Sequence, residues 1–173
     1  MKKQKFFFVV LAIVMAAGLT SCDSDNKKYL EWDISPMYIR IIVSNADGQN
    51  LLDPATPNSF DYHDITAEWM GKSYTADTIK MQQTTRILIA QIHGLQYFVE
   101  HGKAQLYFGD LTGHDTFNDE PLTLHWPDGT TDVITVEASA IEGPKNVKLK
   151  RKFKLNGKVV AKDTSAPIIE VVK

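Results

Sequence analysis

Between Val147 and Asp163 the chain reads VKLKRKFKLNGKVVAKD, two alternating runs joined by Asn156-Gly157. Side chains on a strand alternate between faces, and Asn-Gly supplies the two left-handed residues of a tight hairpin turn. This stretch therefore demands two antiparallel strands in a fixed register. The register predicted sets Leu155 opposite Lys158 and Phe153 opposite Val160, with Phe153 and Val160 sharing a buried face. Lys150 would meet Asp163. Arg151 would face Lys162, a like-charge pairing that marks the end of the core.

The same period of two recurs along the chain. In MYIRIIVS, Met37, Ile39, Ile41 and Val43 share a face, while Tyr38, Arg40 and Ser44 point the other way. Asn45-Ala46-Asp47-Gly48 reads as a turn, and LLDPATPNS as an irregular loop whose prolines exclude it from a central strand. Ile65, Ala67 and Trp69 alternate with polar residues, and Gly71-Lys72 would turn this strand into Ser73-Tyr74-Thr75. In LTLHWPDGTTDVITVE, Pro127-Asp128-Gly129 suits a three-residue hairpin loop that sets Trp126 opposite Thr130 and Leu122 opposite Ile134. That places Trp126 in the core. TRILIAQIHGLQYFVEHG is read as a strand ending near His93 followed by a helical turn, KAQLYFGD as a strand, and PIIEVVK as the last one. About nine short strands with little helix predict an all-β fold, an antiparallel β-sandwich.

The N-terminus carries different information. Lys2, Lys3 and Lys5 precede an uncharged run, Phe6 to Leu19. Fourteen helical residues cover about 21 Å, short of the roughly 30 Å hydrocarbon core of a bilayer. A basic leader and a short apolar run read as a secretory signal. The only cysteine follows, in Leu19-Thr20-Ser21-Cys22, which resembles the bacterial lipobox. There a lipid is joined to the thiol and cleavage leaves the cysteine first. Each buried methylene of the acyl chains contributes about 0.8 kcal/mol, so several chains anchor stably. The alternative is an ordinary secretory signal with an incidental thiol, which would be a liability in an oxidising compartment.

The predicted organisation is a signal peptide at 1–21, a lipidated Cys22 with a tether over 22–36, and one domain over 37–173. Residues 1–21 hold three of the 19 basic side chains and none of the 21 acidic ones, so the remainder carries a net charge of about −5. Such a body has no overall attraction for nucleic acid.

Cys22-Asp23-Ser24-Asp25-Asn26 resembles the acidic tether that follows the lipidated cysteine in many Bacteroidetes lipoproteins, where it directs the protein to the outer face of the outer membrane. A periplasm-facing anchor is the other address that fits. FGDL (108–111), LHWPDGTTDVI (124–134), KLNGK (154–158) and YIRIIVSNADGQNLLDP (38–54) resemble a group of uncharacterised Bacteroidetes cell-surface lipoproteins. That resemblance implies a small immunoglobulin-like sandwich on a lipid anchor, and it implies no catalytic residue.

Several constellations bear on chemistry. In GDLTGHDTFNDE, Asp110, His114, Asp115, Asp119 and Glu120 offer donors for Ca²⁺, although the spacing departs from that of an EF-hand and a solvated acidic loop is the plainer reading. His63, His93, His101, His114 and His125 show no zinc spacing. Neither a nucleophile elbow nor a phosphate-binding glycine loop is present. Lys148, Lys150, Lys152 and Lys154 form a one-sided stripe that either grips a polyanion or guards an edge strand. Trp32, on the tether, is the tryptophan expected at the surface. Asp77-Thr78-Ile79 resembles the short acceptor for protein O-glycosylation in Bacteroidetes, with Thr78 as the modified residue.

The expectation is a lipid-anchored binding or interaction protein without catalytic activity or cofactor, its ligand a glycan or a protein. The alternative is a structural subunit of an envelope or fimbria-like assembly, joined through the exposed edge of PIIEVVK.

Overall fold

The structure is a computed structural model, and it describes residues 34–78, 81–83, 88–90, 92–143 and 146–173. The described strands belong to one compact unit, Trp32–Lys173. The signal, Leu19, Thr20, Ser21, Cys22 and Trp32 lie outside the described residues.

Among the described residues thirteen strands follow one another: β1 (Met37–Ser44), β2 (Thr66–Trp69), β3 (Lys72–Thr75), β4 (Asp77–Thr78), β5 (Met81–Gln83), β6 (Leu88–Ala90) and β7 (Leu95–Glu100), then β8 (Lys103–Leu111), β9 (Phe117–His125), β10 (Thr131–Glu142), β11 (Val147–Leu155), β12 (Lys158–Lys162) and β13 (Ile168–Val172). Among the described residues the only helical piece is a 3-10 turn at Tyr62–Asp64. One sheet runs β13-β1-β8-β7-β4, the other β12-β11-β10-β9-β2-β3, and β5 pairs with β6 alone. The all-β sandwich predicted from alternation is present, with eleven strands in its two sheets instead of nine. Two edge pairs, β1 with β13 and β4 with β7, are parallel.

The core forms where the alternating faces meet. Met37, Ile39, Ile41 and Val43 of β1 are fully buried, as are Leu122, Leu124, Ile134, Val136 and Phe153 of the facing sheet. Trp69 bridges the layers, its ring 5.8 Å from that of Phe108. Burial of such side chains contributes about 1.5–3 kcal/mol each. The body starts before Met37: Ile34, assigned to the tether on sequence, is already buried.

The β9–β10 hairpin follows the sequence closely. Trp126 and Gly129 form the loop, with Trp126 N–H donating to Thr130 O at 3.0 Å and Gly129 N–H to Trp126 O at 3.0 Å. Leu122 pairs with Ile134. Gly129 sits at φ +79°, a conformation that costs glycine nothing. Trp126 is buried, as expected, and its indole N–H donates to Asp132 Oδ2 at 2.8 Å.

Elsewhere the predicted register shifts. Leu155 pairs with Lys158 across Asn156-Gly157, but a bulge after Lys154–Val159 sets Phe153 opposite Ala161 and Lys152 opposite Lys162. Val160 is the extra residue of that bulge and is exposed, so it shares no face with Phe153. Arg151 does not meet Lys162. It points inward and is buried. Asp163 N–H closes this end by donating to Arg151 O at 2.8 Å.

The β2–β3 turn is Met70-Gly71, one residue earlier than predicted, with φ of +49° and +74°. Leu95–Glu100 is a strand and not a helical turn. It runs into β8 through His101-Gly102, again a pair with positive φ. PIIEVVK forms the edge of its sheet but pairs parallel to β1, burying Ile169 and Val171. The lysine stripe lies on β11, which is interior to its sheet and has β12 beside Lys152–Leu155 only.

Candidate functional site

A cleft of about 880 Å³ is bounded by Ile34–Tyr38, Lys72, Ile92-His93 and Gly109–His114. It occupies the end of the sandwich where β1 begins and β8 finishes. Three close backbone approaches shape it. Gly109 N–H donates to Gly94 O at 3.1 Å, and a Cβ on Gly109 would fall 2.2 Å from Ile92 O. A Cβ on Gly113 would fall 2.6 Å from Ser35 O. Gly94, at φ +63°, leaves room for the Tyr74 ring, which a Cβ would approach to 2.6 Å. Only glycine fits contacts this short.

Asp110 is the polar centre of this region. Its Oδ1 accepts from Gly94 N–H at 2.9 Å and its Oδ2 from the Tyr74 hydroxyl at 2.8 Å. Burial and the neighbouring Asp110 carboxylate push the Tyr74 hydroxyl up to about 12, so it remains a donor through the physiological range. The Tyr74 ring stands edge-on to Phe108 at 5.4 Å. His93, largely exposed, brings Nδ1 to 3.9 Å from Asp110 Oδ1. With both oxygens engaged, Asp110 acts here as a brace between β3 and the start of β7. Lys72, His93 and His114 are exposed polar side chains of the lining, with the smaller Ser35 and Thr112 beside them.

The acidic loop predicted as a Ca²⁺ ligand set is dispersed. Asp115 is exposed, its N–H bonded to Thr112 Oγ1 at 3.2 Å. Asp119 sits at φ +53° in a bulge of β9 and accepts from Lys154 Nζ at 2.6 Å. That hydrogen bond holds its carboxyl below the usual range. Glu120 lines a separate recess with Glu68 and Lys72. Among the described residues no group of three or more His, Cys, Asp or Glu side chains converges on one point.

Thr78 is exposed on β4, its N–H bonded to Asp77 Oδ1 at 2.7 Å, while Ile79 lies outside the described residues. Of the lysine stripe, Lys148 and Lys150 are exposed, while Lys152 pairs with Glu137 and Lys154 with Asp119. Half of its charge is thereby neutralised within the protein.

Sequence reasoning flagged Asp110 and His114 but missed Tyr74, His93 and Lys72, which arrive from distant strands. It also missed the aromatic groups. Tyr38 stacks on Tyr107 at 5.7 Å with Phe98 edge-on at 5.8 Å, and Tyr62 stacks on Tyr97 at 4.3 Å. Glu100 joins the first group, accepting from Gln105 at 3.0 Å and from the Tyr107 hydroxyl at 3.1 Å. Alternation assigns Tyr38, Phe98, Glu100 and Tyr107 to an outer face, while Tyr97 packs against the core and Tyr62 lies in the 3-10 turn; only the strand order makes the partners neighbours. Among the described residues no helix is long and apolar enough to cross a membrane. Comparison with protein-family models, with curated proteins and with solved structures gives no match.

Proposed function

We propose that the protein is a lipid-anchored binding protein of the outer membrane, acting without catalysis and taking its ligand in the cleft beside Asp110. The cleft carries the reading: a shaped, open concavity with a few polar groups at its rim is the usual form of a recognition site. The chemistry available there also suits binding. Asp110 is committed on both oxygens, and Tyr74 keeps its proton, so neither is poised as a nucleophile or a general base. Tyr38 adds an aromatic face next to His93, Lys72 and His114, a combination suited to a glycan or to a protein loop. Cys22, as the acylated first residue of the exported product, would supply the anchor and the cell-surface address, by resemblance to Bacteroidetes lipoproteins. Thr78, exposed on an edge strand, is accessible to O-glycosylation.

A broad glycan array and a pull-down from intact cells test this reading. The triple variant His93→Ala, Lys72→Ala, His114→Ala leaves the Asp110 brace in place and should abolish any specific capture. Blank results in both assays, or capture indifferent to the triple change, would overturn it. The anchor is tested separately by Cys22→Ala, which should remove palmitate labelling and membrane fractionation.

The edge of β13 favours a second reading, a structural subunit joined by strand pairing. Pro167 and Ser165 turn their carbonyls to β1, and Lys173 its N–H, so alternation directs the backbone groups of Ile168, Glu170 and Val172 outward. Ile168 and Val172 also carry exposed side chains. Glu170→Pro should remove an outward donor, leave the ladder to β1 intact and prevent assembly. Unchanged assembly would dismiss this alternative.

A further inference from the structure

Arg151 is buried and its Nη2 has no hydrogen-bond partner. Only 8% of the residue is accessible, and its side chain joins none of the ion pairs within 4 Å among the described residues. Alternation along β11 explains how it came to face inward. Phe153, Arg151, Leu149 and Val147 share one side of the strand, and Phe153 is the last of them in the apolar core. Arg151 takes the next inward position and opens onto a separate cleft of about 480 Å³, lined also by Ile34, Ser35, Asn146 and Ser165. Across the β10–β11 ladder its partner is Ala138, and that of Leu149 is Ala140. These small side chains leave space over an apolar floor.

A guanidinium nitrogen such as Nη2 held from water without a partner is costly, and arginine does not escape the cost by losing its proton. Proteins pair such groups or replace them. Here the inward fork, the adjoining concavity and the apolar wall of Val147 and Leu149 occur together. We propose that Arg151 anchors a site for an organic carboxylate, its two oxygens taken by the guanidinium fork and its short apolar stem lying along Val147 and Leu149. The planar fork takes two carboxylate oxygens side by side, and the apolar wall of Val147 and Leu149 favours an anion with an organic stem over sulfate, which has none. Ser35, Ser165 and Asn146 supply polar atoms at the rim. This site meets the Asp110 cleft only at Ile34 and Ser35 and stands whether or not that cleft takes a ligand.

Sodium octanoate, octanol and sodium sulfate, each titrated into the full chain, provide the test. Binding is read by calorimetry and by the Arg151 Nε–Hε signal in ¹⁵N-resolved NMR. Octanoate should bind saturably and move that signal, while octanol and sulfate bind at least about tenfold more weakly. Arg151→Met should weaken octanoate about tenfold or more and raise the melting temperature of the ligand-free protein. Arg151→Lys keeps the charge, loses the fork and should fall between the two. The proposal is overturned by an unmoved Arg151 signal, by sulfate or octanol binding as tightly as octanoate, or by Arg151→Met binding octanoate unchanged. A lower melting temperature for Arg151→Met would equally overturn it, by making the guanidinium a structural partner.

Discussion

Asp132 and Arg151 are equally buried, each 8% accessible, yet their surroundings are opposite. Asp132 is saturated. Its Oδ2 accepts from Trp126 Nε1 at 2.8 Å and Lys173 Nζ at 2.6 Å, and its Oδ1 from Asn156 Nδ2 at 2.6 Å. Lys173 also lies 5.0 Å over the Trp126 ring. One carboxylate thus ties together the Pro-Asp-Gly loop, the Asn-Gly hairpin and the last residue of the chain. Arg151 has no such company. The difference separates a charge that holds the fold from a charge held by the fold, and the two should respond to substitution with opposite signs.

The largest effect is expected at Asp132. Asp132→Ala leaves the partly buried Lys173 ammonium without its carboxylate and should cost about 3–5 kcal/mol, read as a lower urea midpoint at unchanged slope. Acid should reach the same clamp reversibly. Burial alone would raise the Asp132 carboxyl, but the hydrogen bonds from Lys173, Asn156 and Trp126 outweigh it and hold the folded group below the usual range. A group depressed in the folded state stabilises above its unfolded pKa of about 3.9, and that contribution is lost as pH falls through the lower folded value. Asp132→Asn should flatten this part of the acid unfolding profile; an unchanged profile would assign acid sensitivity to other carboxyls.

Next in size is Gly109→Ala. The new methyl meets the Ile92 carbonyl, which belongs to the backbone and has little room to yield, so a loss of about 1–3 kcal/mol is expected in the same urea series. An undiminished midpoint would show that the wall of the Asp110 cleft is pliable. Arg151→Met carries the contrast to its other side, with a gain of about 1–3 kcal/mol from removing an unsatisfied buried charge. A loss there would place Arg151 with Asp132 as a structural group. The smallest change is expected from Tyr74→Phe, about 1 kcal/mol for a single hydrogen bond to Asp110, with folding otherwise intact.

What sequence could reveal divides along the same line between local and distant causes. Asn156-Gly157 and Pro127-Asp128-Gly129 are legible because turn chemistry is carried by adjacent residues. Met70-Gly71 and His101-Gly102 are not, since neither methionine nor histidine before glycine carries the hairpin preference of asparagine or aspartate. The bulge at Val160 is hidden for another reason: alternation fixes faces only while pairing continues unbroken, and one extra residue reverses every assignment beyond it. That slip moved Val160 off the Phe153 face and put Ala161 opposite Phe153, while Arg151 keeps the inward side that alternation along β11 gives it. Of the candidate site, the loop around Asp110 could be read, whereas Tyr74 and His93 come near it only through the order β8-β7 and the placement of β3. The carboxylate donors of the loop looked like one set in sequence, but strand geometry sends Asp119 to Lys154 and Glu120 to another recess.

The parallel pairing of β1 with β13 has a mechanical consequence. Because both strands run the same way, the start of β1 and the finish of β13 lie at opposite poles of the ladder that joins them. A body tethered through its first strand and tugged at its last would load the five paired positions from Arg40–Ile168 to Ser44–Val172 in shear, all together, instead of unzipping them singly. Such a joint resists being pulled apart along its length far better than it resists peeling from the side.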